Sequence, residues 1–421
     1  MNEKEWDRVL SKVDQFSVVS MVRNAIKIRS DITGEAVKAD FIVKEMERRG
    51  MEIVETIIDP AIRRRSVVGV LRGSGGGKSL ILSAHIDTHT PQPVLEEAGY
   101  QATVKDGNIY GIGAGDSMTG LGAIFGAVDA VRRAKVPLKG DVIVLCAADE
   151  MSYKEGMKIM MENGLKADMA IIEVGTDFNI VICHTGKVEL EIRTRGEAPF
   201  EVSDFGSRAG LKAVNAIVSV NKIISSLLCM VKEEPFFHQK HPLLPGEGAG
   251  FNIATIIGGS HGYCDPTMKL GVGSDEHASA KRAATWCKLR VSSRFWPGQT
   301  AQQFVDLVTK WVKKAKAEDP SINAEIEVYM NEPLHVPIEL SPKEEIVQVL
   351  KATTKRVIGR EPKTIGQAWS TEAPYYQALG IPAVGFGPGK LNLGNIDEHV
   401  TIENVMNCTK IFTATILAVC A

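Results

Sequence analysis

Three short apolar runs, residues 79–84, 141–147 and 168–172, are each followed within three residues by a side chain that can bind a cation or move a proton. Runs of this length and composition read as fully buried strands, and open α/β sheets place their sites outside the carboxyl ends of such strands. The first run delivers His85 and Asp87, the second Glu150, and the third Glu173. Neutral imidazole is a good ligand for a divalent transition metal, and a carboxylate two residues on can orient the ring through its other nitrogen. Carboxylates at the ends of three successive buried strands are costly without a cation. The pattern therefore predicts a site rather than a set of stabilising charges.

A glycine-rich turn, Gly111, Gly113 and Gly115, ends in Asp116 and runs into a small-residue helix over 121–130. Such a turn folds the backbone tightly and brings a carboxylate to a helix N-terminus. The spacing has the look of a dinucleotide fingerprint, but Asp116 stands where a pyrophosphate would have to lie, so a nucleotide is excluded. A second glycine cluster, Gly73 to Gly77, runs through Lys78 and Ser79 into a strand-like segment instead of opening a phosphate-binding helix, and is predicted to be a hairpin loop.

Helical periodicity over 18–28 and 36–49, then strands over 67–71 and 80–84, begin an alternating α/β domain. From Lys187 the pattern changes to an alternating strand, a long helix over 209–231, strands over 251–257 and 287–293, a helix over 301–317 and a strand over 324–330. This predicts a ββαβ-like set with one solvated sheet face. The organisation expected is a catalytic domain in two parts, 1–186 and 331–421, with a lid domain inserted over 187–330.

With 421 residues, 44% hydrophobic and 24% charged, the chain is long enough for two domains with real cores. A formal net charge of -2 and the lack of basic runs with interleaved aromatics exclude a nucleic-acid partner. No eighteen-residue apolar stretch predicts a membrane span, and the opening residues are too acidic for a signal peptide. Seven cysteines without a closely spaced pair read as reduced thiols, which makes the cytoplasm the expected location. Cys146 and Cys183 lie in strand-like runs and are expected to be buried.

In their order along the chain these motifs resemble the M20 family of metallopeptidases and amidohydrolases. The tail carries the resemblance further, through Ile381, Pro382, Gly387, Pro388 and Gly389, then Asp397, Glu398 and His399, as do Ser370 to Glu372 and the turn from Arg294 to Gly298. The resemblance implies an α/β fold, a mixed-sheet zinc-peptidase-like catalytic domain with an inserted α+β lid and dimerisation domain. It implies His85, Asp116 and Glu173 as the ligands of one metal ion, Asp87 as the residue that orients His85, and Glu150 as general base. Arg290 and Arg294, on one face of a strand, and Ser370 become candidate substrate contacts, with solvated sheet charges an equal reading for the two arginines. His238, His241, His261 and His277 fall in loops of the lid, where a surface or packing role is the better reading of each.

Three positions depart from the family pattern. In the family Asp116 would bridge to a second metal ion, whose other ligands are a Glu directly after the base and a His near the C-terminus. Here those positions are Met151 and Gly394. A thioether is a poor ligand for such an ion and glycine has no side chain. Asn395 or His399 could serve as surrogates. Phe200 takes the place of a His that helps hold the oxyanion of a scissile amide. Removing one oxyanion donor typically costs about 2.7 to 4 kcal/mol.

The expectation is a C–N hydrolase that uses one divalent transition metal ion, manganese or zinc, and Glu150 as base, acting on a small molecule. Its substrate would stabilise its own addition intermediate, as does an electron-poor aromatic amine such as 5-nitroanthranilate, which would give 5-nitrosalicylate and ammonia. Two other readings stand beside it: a two-metal peptidase or aminoacylase with surrogate ligands, and a binding protein without catalysis. A drifting site would have no reason to keep the base together with a full first ligand set. The lid implies a homodimer or a larger even assembly.

Overall fold

The computed structural model describes residues 3–31, 34–89, 98–152, 154–197, 213–259, 283–330, 336–390 and 397–421. Phe200, Gly394, Asn395, His261 and His277 lie outside the described residues. The chain divides into two compact units, one of residues 1–183, 339–366 and 371–421, the other of residues 184–338 and 367–370.

The first unit is built on a mixed sheet. Along its path the strands run Glu52–Asp59, Arg64–Leu71, Val142–Ala147, Leu80–His85, Met169–Ile172, Ala383–Gly385, Ile180–His184 and Ile338–Glu339, with Thr364–Gln367 also paired to Ile180–His184. The central three are parallel, in a register that sets His85 beside Ala147 and Ser83 beside Ile172. Every residue of those three strands is buried. Continuous apolar runs are what a strand covered on both faces requires. The helices Gln15–Lys27, Met118–Arg133 and Ile402–Cys420 pack together on this unit. Met118–Arg133 has an unbroken run of buried residues from Met118 to Val131, which explains its small-residue composition.

The Gly73–Gly77 segment is not a hairpin loop. Arg64–Leu71 pairs antiparallel with Val142–Ala147, and Leu80–His85 pairs parallel with the other edge of that same strand. The two strands flanking the glycines are thus separated by a third, whose pairing comes from a distant part of the chain. Gly73 and Gly77 lie against Lys139 and Gly140: a Cβ on Gly77 would fall 2.5 Å from the Gly140 nitrogen. Close backbone approach explains Gly73 and Gly77, whereas Gly75 and Gly76 have open space around them and stand at φ 96° and 83°, where a side chain would be strained.

The second unit holds a four-stranded antiparallel sheet ordered Gly250–Gly259, Trp286–Phe295, Gly186–Arg195 and Asn323–Met330. Strict alternation of burial along Trp286–Phe295 shows one covered face and one wet face. The helices Ala216–Glu233 and Ala301–Glu318 supply the cover, with Ile223, Leu227, Phe304, Val308 and Trp311 packed on Val188, Leu190, Leu289 and Val291. The helix predicted over 209–231 begins later, at Ala216, where Asn215 accepts hydrogen bonds from two free N–H groups of the first turn.

Candidate metal centre

His85 is the last residue of the central strand and is almost fully buried. Its Nδ1 lies 2.8 Å from the Asp87 main-chain oxygen and 3.4 Å from the Asp87 carboxylate. A ring that donates from Nδ1 keeps its Nε2 lone pair for a ligand. Asp87 therefore orients His85 chiefly through its backbone, while its own Oδ2 accepts the Met151 N–H at 2.8 Å. Nε2 faces Asp116 Oδ1 at 3.1 Å. Burial alone would favour the neutral ring, but the charge and hydrogen bond of Asp116 outweigh it and raise the His85 pKa well above its ordinary value.

Asp116 reaches this position from the glycine turn, which is fastened by the C-terminal segment. Glu398 Oε1 accepts the Gly115 N–H at 2.8 Å, and the Glu398 main-chain oxygen accepts the Gly111 N–H at 3.0 Å. Glu173 follows its strand directly, with its N–H held by the Ser83 oxygen at 2.7 Å. Its carboxylate is buried, and within the described residues neither oxygen accepts a hydrogen bond. It lies against two glycines: a Cβ on Gly120 would fall 1.8 Å from Glu173 Cδ, and one on Gly387 2.6 Å from Oε1. Burial first, and then the Asp116 charge, push the Glu173 carboxyl well above the usual carboxylate range.

An orphaned buried carboxylate beside a carboxylate and an imidazole is a donor set suited to a divalent ion. Among the described residues no group of three or more His, Cys, Asp or Glu side chains is gathered closely enough to hold a metal ion as they stand. His85 and Asp116 are in contact, and the Glu173 carboxylate, near Ser117, has neither oxygen in good hydrogen-bond geometry.

Glu150 sits in the loop after Val142–Ala147, its side chain largely covered. The peptides on both sides of it are gripped. The Asp149 N–H donates to Glu35 Oε1 at 2.7 Å, and the Met151 N–H donates to Asp87. Asp149 has φ 67°, a left-handed conformation uncommon outside glycine but one that aspartate tolerates better than most residues. Arg64 pairs with Asp149 at 2.7 Å and with Glu35. Lys154 ion-pairs with Glu150. Glu372 is buried, and burial followed by the Glu150 charge raises its pKa to about 7.

His85, Asp87, Asp116, Glu150 and Glu173 all belong to the first unit and act on one another there. Arg290, Arg294 and Ser370 belong to the second. Both arginines lie on the wet face of their strand. Arg290 donates to Glu191 at 3.1 Å, and Arg294, whose pKa burial lowers, donates to Thr185 Oγ1 at 3.3 Å. His399 stacks on Tyr110 with ring centroids 4.9 Å apart. His238 bonds the Lys232 oxygen and His241 accepts the Leu243 N–H, local roles in both cases. Cys146 and Cys183 are buried, and neither is in a disulfide. Among the described residues no helix is long and apolar enough to cross a membrane.

Sequence reasoning missed Glu35, Arg64 and Lys154. A charged residue on a helix or an outer strand carries no pattern that separates it from a solvated one. Glu372 stood inside a recognised motif without an assigned role.

The model of peptidase family M20/M25/M40 matches residues 81–418. The chain is 25% identical over 376 residues to the N-formyl-4-amino-5-aminomethyl-2-methylpyrimidine deformylase of Bacillus subtilis (strain 168), covering 85% of this chain and 83% of that one. It is 25% identical over 388 residues to the acetylornithine deacetylase of Myxococcus xanthus, covering 90% and 91%. Its fold matches the crystal structure of aminopeptidase PepT from Bacillus cereus ATCC 10987 with a TM-score of 0.73 at 17% identity, over 96% of this chain and 98% of that one. With most of its length matched, buried metal-type donors at its central strand ends and an acid in the place of the base, the chain belongs to peptidase family M20/M25/M40 and is a metal-dependent C–N hydrolase.

Proposed function

We propose that this hydrolase works with a single divalent ion, manganese or zinc, held by His85, Asp116 and Glu173, and that Glu150 is its general base. The observation that carries the reading is Met151. It directly follows the base, and its contribution to the site is a main-chain N–H given to Asp87 at 2.8 Å. A thioether there offers no hard donor to a second ion.

A divalent ion in this position supplies Lewis acidity and makes water a nucleophile near neutral pH. The chain's own residues do the rest. His85 is oriented by the Asp87 backbone, Glu150 takes the proton of the attacking water, and it returns that proton to the departing nitrogen. The substrate class proposed is an electron-poor aromatic amine such as 5-nitroanthranilate. Water adds at the ring carbon bearing the amine, the electron pair moves into the nitro-substituted ring, and ammonia leaves as 5-nitrosalicylate forms. An intermediate that delocalises its own charge needs no oxyanion donor, which suits a chain with Phe200 at that place.

A second reading is hydrolysis of a small N-acyl amide, favoured by the likeness to a deformylase and a deacetylase over most of the chain. One experiment separates the two. Metal content per chain is measured beside ammonia release from 5-nitroanthranilate and formate or acetate release from N-formyl and N-acetyl amines. One ion with ammonia release supports the aminohydrolase; acid release without ammonia replaces it with the amide hydrolase; two ions overturn the single-ion mechanism. A homodimer through the second unit is also proposed, supported by Ile256 and Ile257, exposed on the edge strand Gly250–Gly259, and light scattering tests it.

A further inference from the structure

Lys154 is an unusual lysine in three respects. Its backbone has φ 55° and ψ 28°, a left-handed conformation that lysine rarely adopts. Its side chain is only 5% exposed, although an ammonium is among the most strongly hydrated groups a protein carries. Its Nζ is directed back at the base, where it ion-pairs with the Glu150 carboxylate and donates to the Glu150 main-chain oxygen at 3.1 Å.

A strained backbone and a buried charge at one residue are retained only when the surroundings demand them. The demand here is electrostatic. Burial would by itself draw the Lys154 ammonium toward neutrality, but the charges of Glu150 and Glu372, followed by that of Asp87, hold its pKa above the ordinary value. The group is therefore a permanent cation inside a pocket of carboxylates. It faces the base from the same loop in which Met151 stands without a donor for a metal.

We propose that the Lys154 ammonium is the built-in second cation of this site, a positioning residue that fixes Glu150 and neutralises its side of the pocket so that one metal ion suffices. The proposal rests on the single-ion reading above. An ammonium on a four-carbon stem supplies positive charge without coordination geometry, so it can balance Glu150 yet leave the carboxylate free to accept a proton. It also repels a second divalent ion from that half of the pocket.

The test is titration of the full-length protein with manganese and with zinc by calorimetry, with elemental analysis of bound ion, for wild type, Lys154→Met, Lys154→Arg and the double variant Lys154→Met/Glu150→Gln. Wild type is expected to bind one ion. Lys154→Met should bind its first ion at least tenfold more tightly or take up a second. Lys154→Arg, which keeps the charge, and the double variant, which removes both members of the pair, should stay within threefold of wild type. Unchanged affinity and stoichiometry in a folded Lys154→Met protein overturn the proposal while leaving the single-ion reading intact. Two ions on wild type overturn both. If Lys154→Met does not fold, Lys154→Gln takes its place, with a tenfold gain supporting the proposal and no change overturning it.

Discussion

The carboxylate of Glu35, on a helix more than a hundred residues before the base, accepts the main-chain N–H of Asp149 at 2.7 Å. Glu35 is fully buried and shares Arg64 with Asp149, so the peptide next to Glu150 is held by an internal ion network.

Truncating Glu35 to Ala should leave the Asp149 N–H without its acceptor in the interior and Arg64 with Asp149 as its remaining carboxylate partner. The expected loss is about 3–5 kcal/mol, the usual result of removing one partner of a buried pair. Urea denaturation reads it. The double variant Glu35→Ala/Arg64→Met should lose more, because the buried Asp149 carboxylate is then left without its cation. A loss below about 1 kcal/mol in the single variant would show that the network is not closed as described.

Glu150→Gln should leave the stoichiometry at one ion, since Glu150 is not among the proposed metal donors, and should weaken binding roughly tenfold because Lys154 then stands without its counter-charge, while turnover falls by about 10²–10⁴. Steady-state rates paired with metal analysis check it. Turnover near the wild-type rate removes Glu150 from the mechanism.

Gly120→Ala tests the cradle around Glu173. A Cβ there would lie 1.8 Å from Glu173 Cδ, so the carboxylate has to move. Helix propensity favours Ala by up to about 1 kcal/mol, which offsets part of the overpacking strain. The expected outcome is a protein that still folds and whose metal affinity has dropped roughly 10- to 100-fold, the usual range when support around a ligand is disturbed. An unchanged affinity would mean that Glu173 is not a ligand.

Lys38 makes stability depend on pH. It is fully buried, donates to the Ala25 oxygen and lies 3.1 Å from Met118 Sδ. Burial lowers its pKa from 10.5 to about 7. Below pH 7 both folded and unfolded chains carry the ammonium, and the burial penalty is fully present. Between about 7 and 10.5 the unfolded chain binds the extra proton, so this group makes stability rise with pH. Lys38→Met should be more stable than wild type by more than about 1 kcal/mol at pH 7 or below, with the gain shrinking as pH rises. Denaturant melts from pH 6 to 10 read it; a pH-independent difference refutes it.

Much of the fold and part of the centre were legible in the sequence for one physical reason. A strand buried on both faces must be apolar throughout, so the runs ending at Ala84, Ala147 and Ile172 stood out, and the donors just beyond them stood out by contrast. Periodicity also located the alternating strand Trp286–Phe295. It failed wherever the structure depends on pairing across the chain. The Gly73–Gly77 segment looked like a hairpin because neighbours in sequence were taken as neighbours in space, whereas Val142–Ala147 inserts between its flanking strands. Glu35, Arg64 and Lys154 were invisible for a related reason. Their charges are silenced by partners 29 to 114 positions away, or by one turn of chain around a left-handed residue, and no local pattern encodes that.

The central strand Leu80–His85 is flanked on both sides by parallel strands, one leading to the base and the other to Glu173. The spacing of the strand ends that present His85 and Glu173 is thus inherited from the repeat distance of a hydrogen-bonded backbone, the least adjustable ruler in a protein. Chemistry built on such a ruler can stay constant while the loops around it are exchanged, so a change of substrate in this scaffold needs no redesign of its reactive centre.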